Sequence, residues 1–151
     1  MSRYGAGVTA AGVNTANTAY FGLWPTTTAQ RLKLLMVTVA VATAPTTAPV
    51  FGLARSTARG TQSTTLLGLP LDPADATAIG TLDGGYTVAP TFTNTSIIQV
   101  GPMAVTAGGG WVWDFRDWPM VLPTNGGVVV FNINASGATL GSFRCSMLWQ
   151  E

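Results

Sequence analysis

Trp111-Val112-Trp113-Asp114-Phe115-Arg116-Asp117-Trp118-Pro119-Met120-Val121-Leu122-Pro123-Thr124-Asn125-Gly126-Gly127-Val128-Val129-Val130-Phe131-Asn132-Ile133-Asn134 is the stretch on which the fold turns. Trp111, Trp113 and Phe115 alternate with Val112, Asp114 and Arg116, the period of two that marks a half-buried strand. Pro119 and Pro123 lack a backbone donor, so the piece between them belongs at a sheet edge or in a loop. Asn125-Gly126-Gly127 suits a tight turn, because these residues tolerate positive φ. Val128 to Ile133 then resumes in β-branched and aromatic residues. A strand, a Pro-bounded crossing, a Gly turn and a second strand predict a β-sandwich.

Outward from this stretch the pattern repeats. Arg31 to Val41 reads as the clearest strand. A helix competes over Arg31-Leu32-Lys33-Leu34-Leu35-Met36, but the β-branched run that follows favours strand. Both faces turn apolar over Leu34–Val41, so both are expected to be covered. Tyr20–Pro25, Val50–Ala54, Tyr86–Phe92 and Ser96–Val105 read as further strands, the last interrupted at Gly101-Pro102. The final strand runs to Trp149 and places Phe143, Cys145, Met147 and Trp149 on one face. Thr26-Thr27-Thr28, Ala44–Pro49, Asp83-Gly84-Gly85 and Ala135-Ser136-Gly137-Ala138 read as connections, and residues 55–65 as a loop. Asp72-Pro73-Ala74-Asp75 has the chemistry of one helical turn, with Asp72 as N-cap and Pro73 at the first helical position. The expected fold is therefore all-β, a single-domain β-sandwich or jelly roll of about eight strands over residues 20–151. Residues 1–19 are Gly, Ala, Thr and Asn with little bulk. They read as a flexible N-terminal arm that orders on a partner, with Arg3, Tyr4 and Val8 as its anchors.

The chain has 151 residues, 47% of them hydrophobic and only 9% charged, with a net charge of +1. Globular proteins average about 25% charged residues, so this surface must be built from Thr, Ser, Asn, Gly and small apolar side chains. Such a surface suits coverage by neighbouring subunits. Arg3, Arg31, Lys33, Arg55, Arg59, Arg116 and Arg144 are scattered, which leaves no basic footprint for nucleic acid. No apolar run approaches the ~20 residues of a membrane span. The N-terminal residues carry no apolar signal segment, so synthesis in the cytoplasm is expected. The single Cys145 excludes an internal disulfide and reads as a buried structural thiol.

Chemistry is sparse. The chain has no His, which removes the commonest general base and metal ligand. No phosphate-loop or dinucleotide motif occurs. Neither a catalytic set, a cofactor nor a metal site is expected. Asp114 and Asp117 could form a glycosidase pair or a Ca²⁺ site, or could pair with arginines. Trp111, Trp113, Phe115 and Trp118 form the richest aromatic cluster. It reads as core or subunit interface, with sugar stacking as the alternative.

From about Arg31 to Glu151 the chain resembles small structural proteins of tailed bacteriophages. The residues that carry the resemblance are Arg31-Leu32-Lys33-Leu34, Gly52-Leu53-Ala54-Arg55-Ser56 and Leu71-Asp72-Pro73-Ala74-Asp75. Pro119-Met120-Val121-Leu122-Pro123 before Gly-Gly and Leu148-Trp149-Gln150-Glu151 complete the set. In general character it is similar to capsid decoration, or cement, proteins that form jelly-roll trimers on the outside of phage heads. The resemblance implies a non-enzymatic virion protein, a homotrimer that binds the major capsid protein and stabilises the capsid surface. Trp111, Trp113 and Trp118 join Arg3, Tyr4 and Val8 as candidate partner-binding residues. The alternative is a tail or head-fibre module that binds a receptor carbohydrate.

Overall fold

The computed structural model describes residues 1–27, 31–135 and 137–151. Thr28 and Ser136, within two of the expected connections, lie outside the described residues. The chain forms β1 (Arg3–Ala11), β2 (Ala19–Pro25), β3 (Lys33–Thr43), β4 (Val50–Ala58), β5 (Thr61–Leu67) and β6 (Leu69–Pro70). It continues as β7 (Gly80–Val88), β8 (Thr91–Pro102), β9 (Gly110–Asp114), β10 (Met120–Val121), β11 (Gly127–Asn132) and β12 (Ser142–Gln150). Two antiparallel sheets result. In sheet A the order is β10-β3-β12-β1-β6, with β9 also on β3; in sheet B it is β5-β7-β2-β11-β4-β8. The first four strands alternate between the sheets, so each crosses the core to its successor. The expected all-β sandwich is present, with twelve strands where about eight were expected, two of them only two residues long.

The period-two readings hold where side chains are bulky. In β12, Phe143, Cys145, Met147 and Trp149 are buried and point at sheet B, while Arg144 and Ser146 are exposed. The inter-sheet core adds Leu34, Val37, Val39 and Val41 of β3, and Phe51, Leu53, Leu82, Val128 and Val130 of sheet B. A second, smaller cluster of Trp24, Ala54, Val129 and Phe131 lies on the outer side of sheet B, where Phe92, Ile97 and Tyr86 pack against it. β11 is buried along its whole length because both of its faces are covered. The Pro-bounded segment pairs with the margin of β3, Met120 opposite Leu34, as the missing proline donors require.

The N-terminal reading is corrected. In place of an arm there is β1, an interior strand paired with β12 over nine residues, from Arg3 opposite Gln150 to Ala11 opposite Ser142. Tyr4, Val8 and Ala10 are buried in the core. Small residues suffice because the opposite sheet supplies the contact. A Cβ on Gly84 would stand 2.4 Å from Val8 Cγ2, so glycine there admits the Val8 side chain. The domain is one sandwich that includes residues 1–19.

Asp83-Gly84-Gly85 is likewise not a turn but the middle of β7. Residues 55–65 are mostly strand: β4 runs to Ala58 and β5 begins at Thr61. Ala58 opposes Thr91 and Thr61 opposes Val88, so residues 50–67 and 80–102 form one long antiparallel ribbon. Its two halves flank β2 and β11 in sheet B. Arg59 and Gly60 (φ 74°) make its bend. The Asp72–Asp75 segment is a turn without a helix: the Asp72 carboxylate accepts from Ala74 N at 3.0 Å.

Candidate functional site

In three dimensions Trp111 and Trp113 stay together over Gly101 of β8, and Trp118 stands in the loop that follows β9. Trp113 is buried in the core, and its indole N–H has no acceptor among the described residues. Trp111 lies over Gly101 of β8, where a Cβ would stand 2.5 Å from its ring. Trp111 is 37% exposed, and Trp118 projects furthest, 88% exposed, in the loop between β9 and β10. The three indoles therefore do not form one stacking platform.

Asp114 pairs with Arg116, the arginine that lies between it and Asp117 in the sequence. Asp114 accepts from Arg116 Nε at 2.9 Å and from its backbone N at 3.0 Å. The guanidinium bond, helped by the backbone N–H, lowers the Asp114 pKa to about 2. Asp117 is exposed and makes no ion pair with a described residue. Among the described residues no group of three His, Cys, Asp or Glu could hold a metal. Among the described residues no helix is long and apolar enough to cross a membrane.

Tyr4 and Val8, expected as anchors on a partner, are core residues instead. Tyr4 stacks on Trp149 with centroids 6.3 Å apart and donates to Ala76 O at 2.9 Å. Arg3 is exposed at the start of β1. Cys145 is fully buried, and desolvation of its thiolate pushes its pKa far up.

The surface that stands out is the outer face of sheet A. Pairing aligns its rows: Met36 beside Leu148, Leu148 beside Gly5, Gly5 beside Leu69. A second row runs Val112, Thr38, Ser146, Gly7. The middle of this face, around Gly5, Met36, Leu148 and Leu69, is mostly apolar. Leu69, Leu71 and Leu66 stand exposed along its β1 margin. Its charges are Arg3, Lys33 and Arg144, none of which makes an ion pair with a described residue, and the Asp114–Arg116 pair at the β9 margin; Arg3, Gln150 and Lys33 form a row at one end of the face. Two adjoining depressions of about 540 and 450 Å³ share Gly7 and Ser146 and make a shallow trough across it. The signal for this face lay in the alternation of Gly5, Gly7 and Thr9 with Tyr4, Ala6, Val8 and Ala10, which small residues made faint.

No protein-family model and no curated protein matches the chain. It is similar to a chain in the X-ray crystal structure of tomato aspermy virus, at 14% identity and a TM-score of 0.38. The likeness covers 98% of this chain and 78% of that one. At that level it leaves the function to be argued from this chain's own residues.

Proposed function

We propose that this protein is a non-enzymatic structural component of a virion. In this reading it sits as a homotrimer on the outer surface of a phage capsid, binds the major capsid protein and stabilises the shell. The observation that carries the proposal is the outer face of sheet A, whose middle exposes Met36, Leu148, Leu69 and Val112 with Arg144 as the one charge among them, Arg3 and Lys33 standing at one end. Interface centres are depleted of charge and enriched in apolar and aromatic side chains. A solvated face of this size gains nothing from Met36, Leu148, Leu69, Leu71 and Val112. The low charge of the whole chain and the phage-protein resemblance of residues 31–151 point the same way.

The exposed Trp118 favours a second reading, a tail or head-fibre module that stacks receptor sugars. Electron microscopy of particles that contain this protein separates the two. Many copies spread over the head support capsid reinforcement. A few copies at the tail tip, with glycan binding lost in Trp118→Ala, overturn it in favour of the receptor module.

A further inference from the structure

We propose that the trough on the outer face of sheet A seats a second copy of this chain, entered by that copy's Trp118 loop. This deepens the reading above and rests on its self-assembling part. Gly5 and Gly7 carry the first observation. Both lie inside β1, neither has positive φ, and a Cβ on either would meet nothing closer than 3.7 Å. Elsewhere in the strands glycine is demanded from within: a Cβ would stand 2.4 Å from Tyr86 Oη at Gly22, 2.7 Å from the Phe131 ring at Gly52 and 2.5 Å from the Trp149 indole at Gly80. Alanine would fit at 5 and 7, and glycine in a strand interior weakens it. Bare backbone without an internal reason marks a place that another group approaches closely from outside.

The trough defines what that group is. Its floor is Gly5, Gly7 and the apolar Met36 and Leu148, its wall is Leu66 and Leu71, and Arg144 supplies one cation without a partner. It fits a flat apolar group with a carboxylate beside it. This chain presents that combination in Asp117-Trp118: an indole 88% exposed, next to an exposed carboxylate that makes no ion pair with a described residue. Trp118 follows β9 and precedes β10, both paired to β3, whereas Gly5 and Gly7 lie on β1. β12 and β3 stand between Trp118 and those glycines, and Trp118 is 88% exposed, so the loop does not fill the trough of its own chain. They meet between copies, head to tail, a contact that closes into a ring or extends as a filament. Trp in a desolvated pocket is the typical anchor of such a contact.

Sedimentation velocity on the full chain at micromolar concentration tests the proposal. The wild type is expected as a multiple of 15.6 kDa. Trp118→Ala and Gly7→Val should each raise the concentration for association by about tenfold or more. Melting temperatures near that of the wild type would show that these variants are folded. Arg144→Glu and Asp117→Arg should each weaken association, and the double variant should regain it. A wild type that sediments as a monomer, or Trp118→Ala and Arg144→Glu that assemble like the wild type, would overturn the inference. Normal self-association without attachment to capsids would instead count against the virion role alone.

Discussion

Arg59 grips Asp83 with two hydrogen bonds, Nε to Oδ2 at 2.8 Å and Nη2 to Oδ1 at 2.6 Å, across the bend of the long ribbon in sheet B. The Asp83 side chain is wholly buried, while that of Arg59 is 31% exposed. Thr65 Oγ1 donates to the same carboxylate at 2.9 Å, and Arg59 Nη2 also donates to Thr81 Oγ1 at 3.0 Å. The bond to Asp83, opposed by partial burial, holds the Arg59 pKa above its ordinary value. The pair locks the bend at residues 59–60 to the middle of β7.

Removing the cation leaves a buried carboxylate without its counter-charge. Such a loss costs about 3–5 kcal/mol, and the partial exposure of Arg59 puts this case near 3. Arg59→Ala should therefore unfold at clearly lower urea than the wild type, and Asp83→Asn at an intermediate concentration, since Arg59 can turn to water. An Arg59→Ala midpoint equal to that of the wild type would show that the pair does not hold the bend.

Stability should fall in alkali. Burial is the main cause that raises the pKa of both the Cys145 thiol and the Tyr86 hydroxyl. Both shifts favour the protonated form in the folded state. Their contribution is complete below the unfolded thiol pKa of about 8.5 and is lost as pH rises beyond it, first through Cys145 and then, above about 10, through Tyr86. Urea midpoints measured from pH 7 to 11 should decline above pH 8.5, and Cys145→Ala should remove the first part of the decline. In the folded protein Cys145 should resist thiol reagents until urea unfolds it.

Deleting residues 2–11 should abolish folding. The deletion removes a nine-residue partner of β12 and takes Tyr4, Val8 and Ala10 from the core. Far-ultraviolet circular dichroism should lose its β signature and cooperative melt. A truncated chain with the native melt would restore the arm reading.

Asn132 should matter more than its neighbours suggest. Its side chain is buried, accepts from Thr18 N at 2.6 Å and donates to Thr15 O at 2.7 Å. It thus ties the β1–β2 connection to the end of β11. Asn132→Ala leaves these backbone groups short of partners, at a cost of about 1–3 kcal/mol. Chemical denaturation measures that loss, and amide exchange should quicken at Thr18 before it does in β3. Unchanged exchange at Thr18 would sink this account.

The sandwich was legible wherever side chains are large enough to show the period of two. Phe143, Cys145, Met147 and Trp149 declare one buried face, and Val128 to Phe131 declare a strand, because bulky apolar groups on a pleated strand have only two sides to go to. The proline edge at Met120–Val121 was equally local, a matter of missing donors. β1 was not legible, since Gly5, Ala6 and Gly7 carry no period of their own and the strand is held by β12 and by Val8 seated on Gly84, far off in sequence. Asp83-Gly84-Gly85 has the composition of a turn, yet it is strand because the opposite sheet needs the space its glycine leaves and Arg59 neutralises its carboxylate. The same distance rule governs the surface. Low charge announced in the sequence that some face would be covered, but only the register of β3, β12, β1 and β6 brings Met36, Leu148, Gly5 and Leu69 into one row. Local chemistry determines what each strand can be; contacts between strands remote in the chain decide which of them exist and which face they leave open.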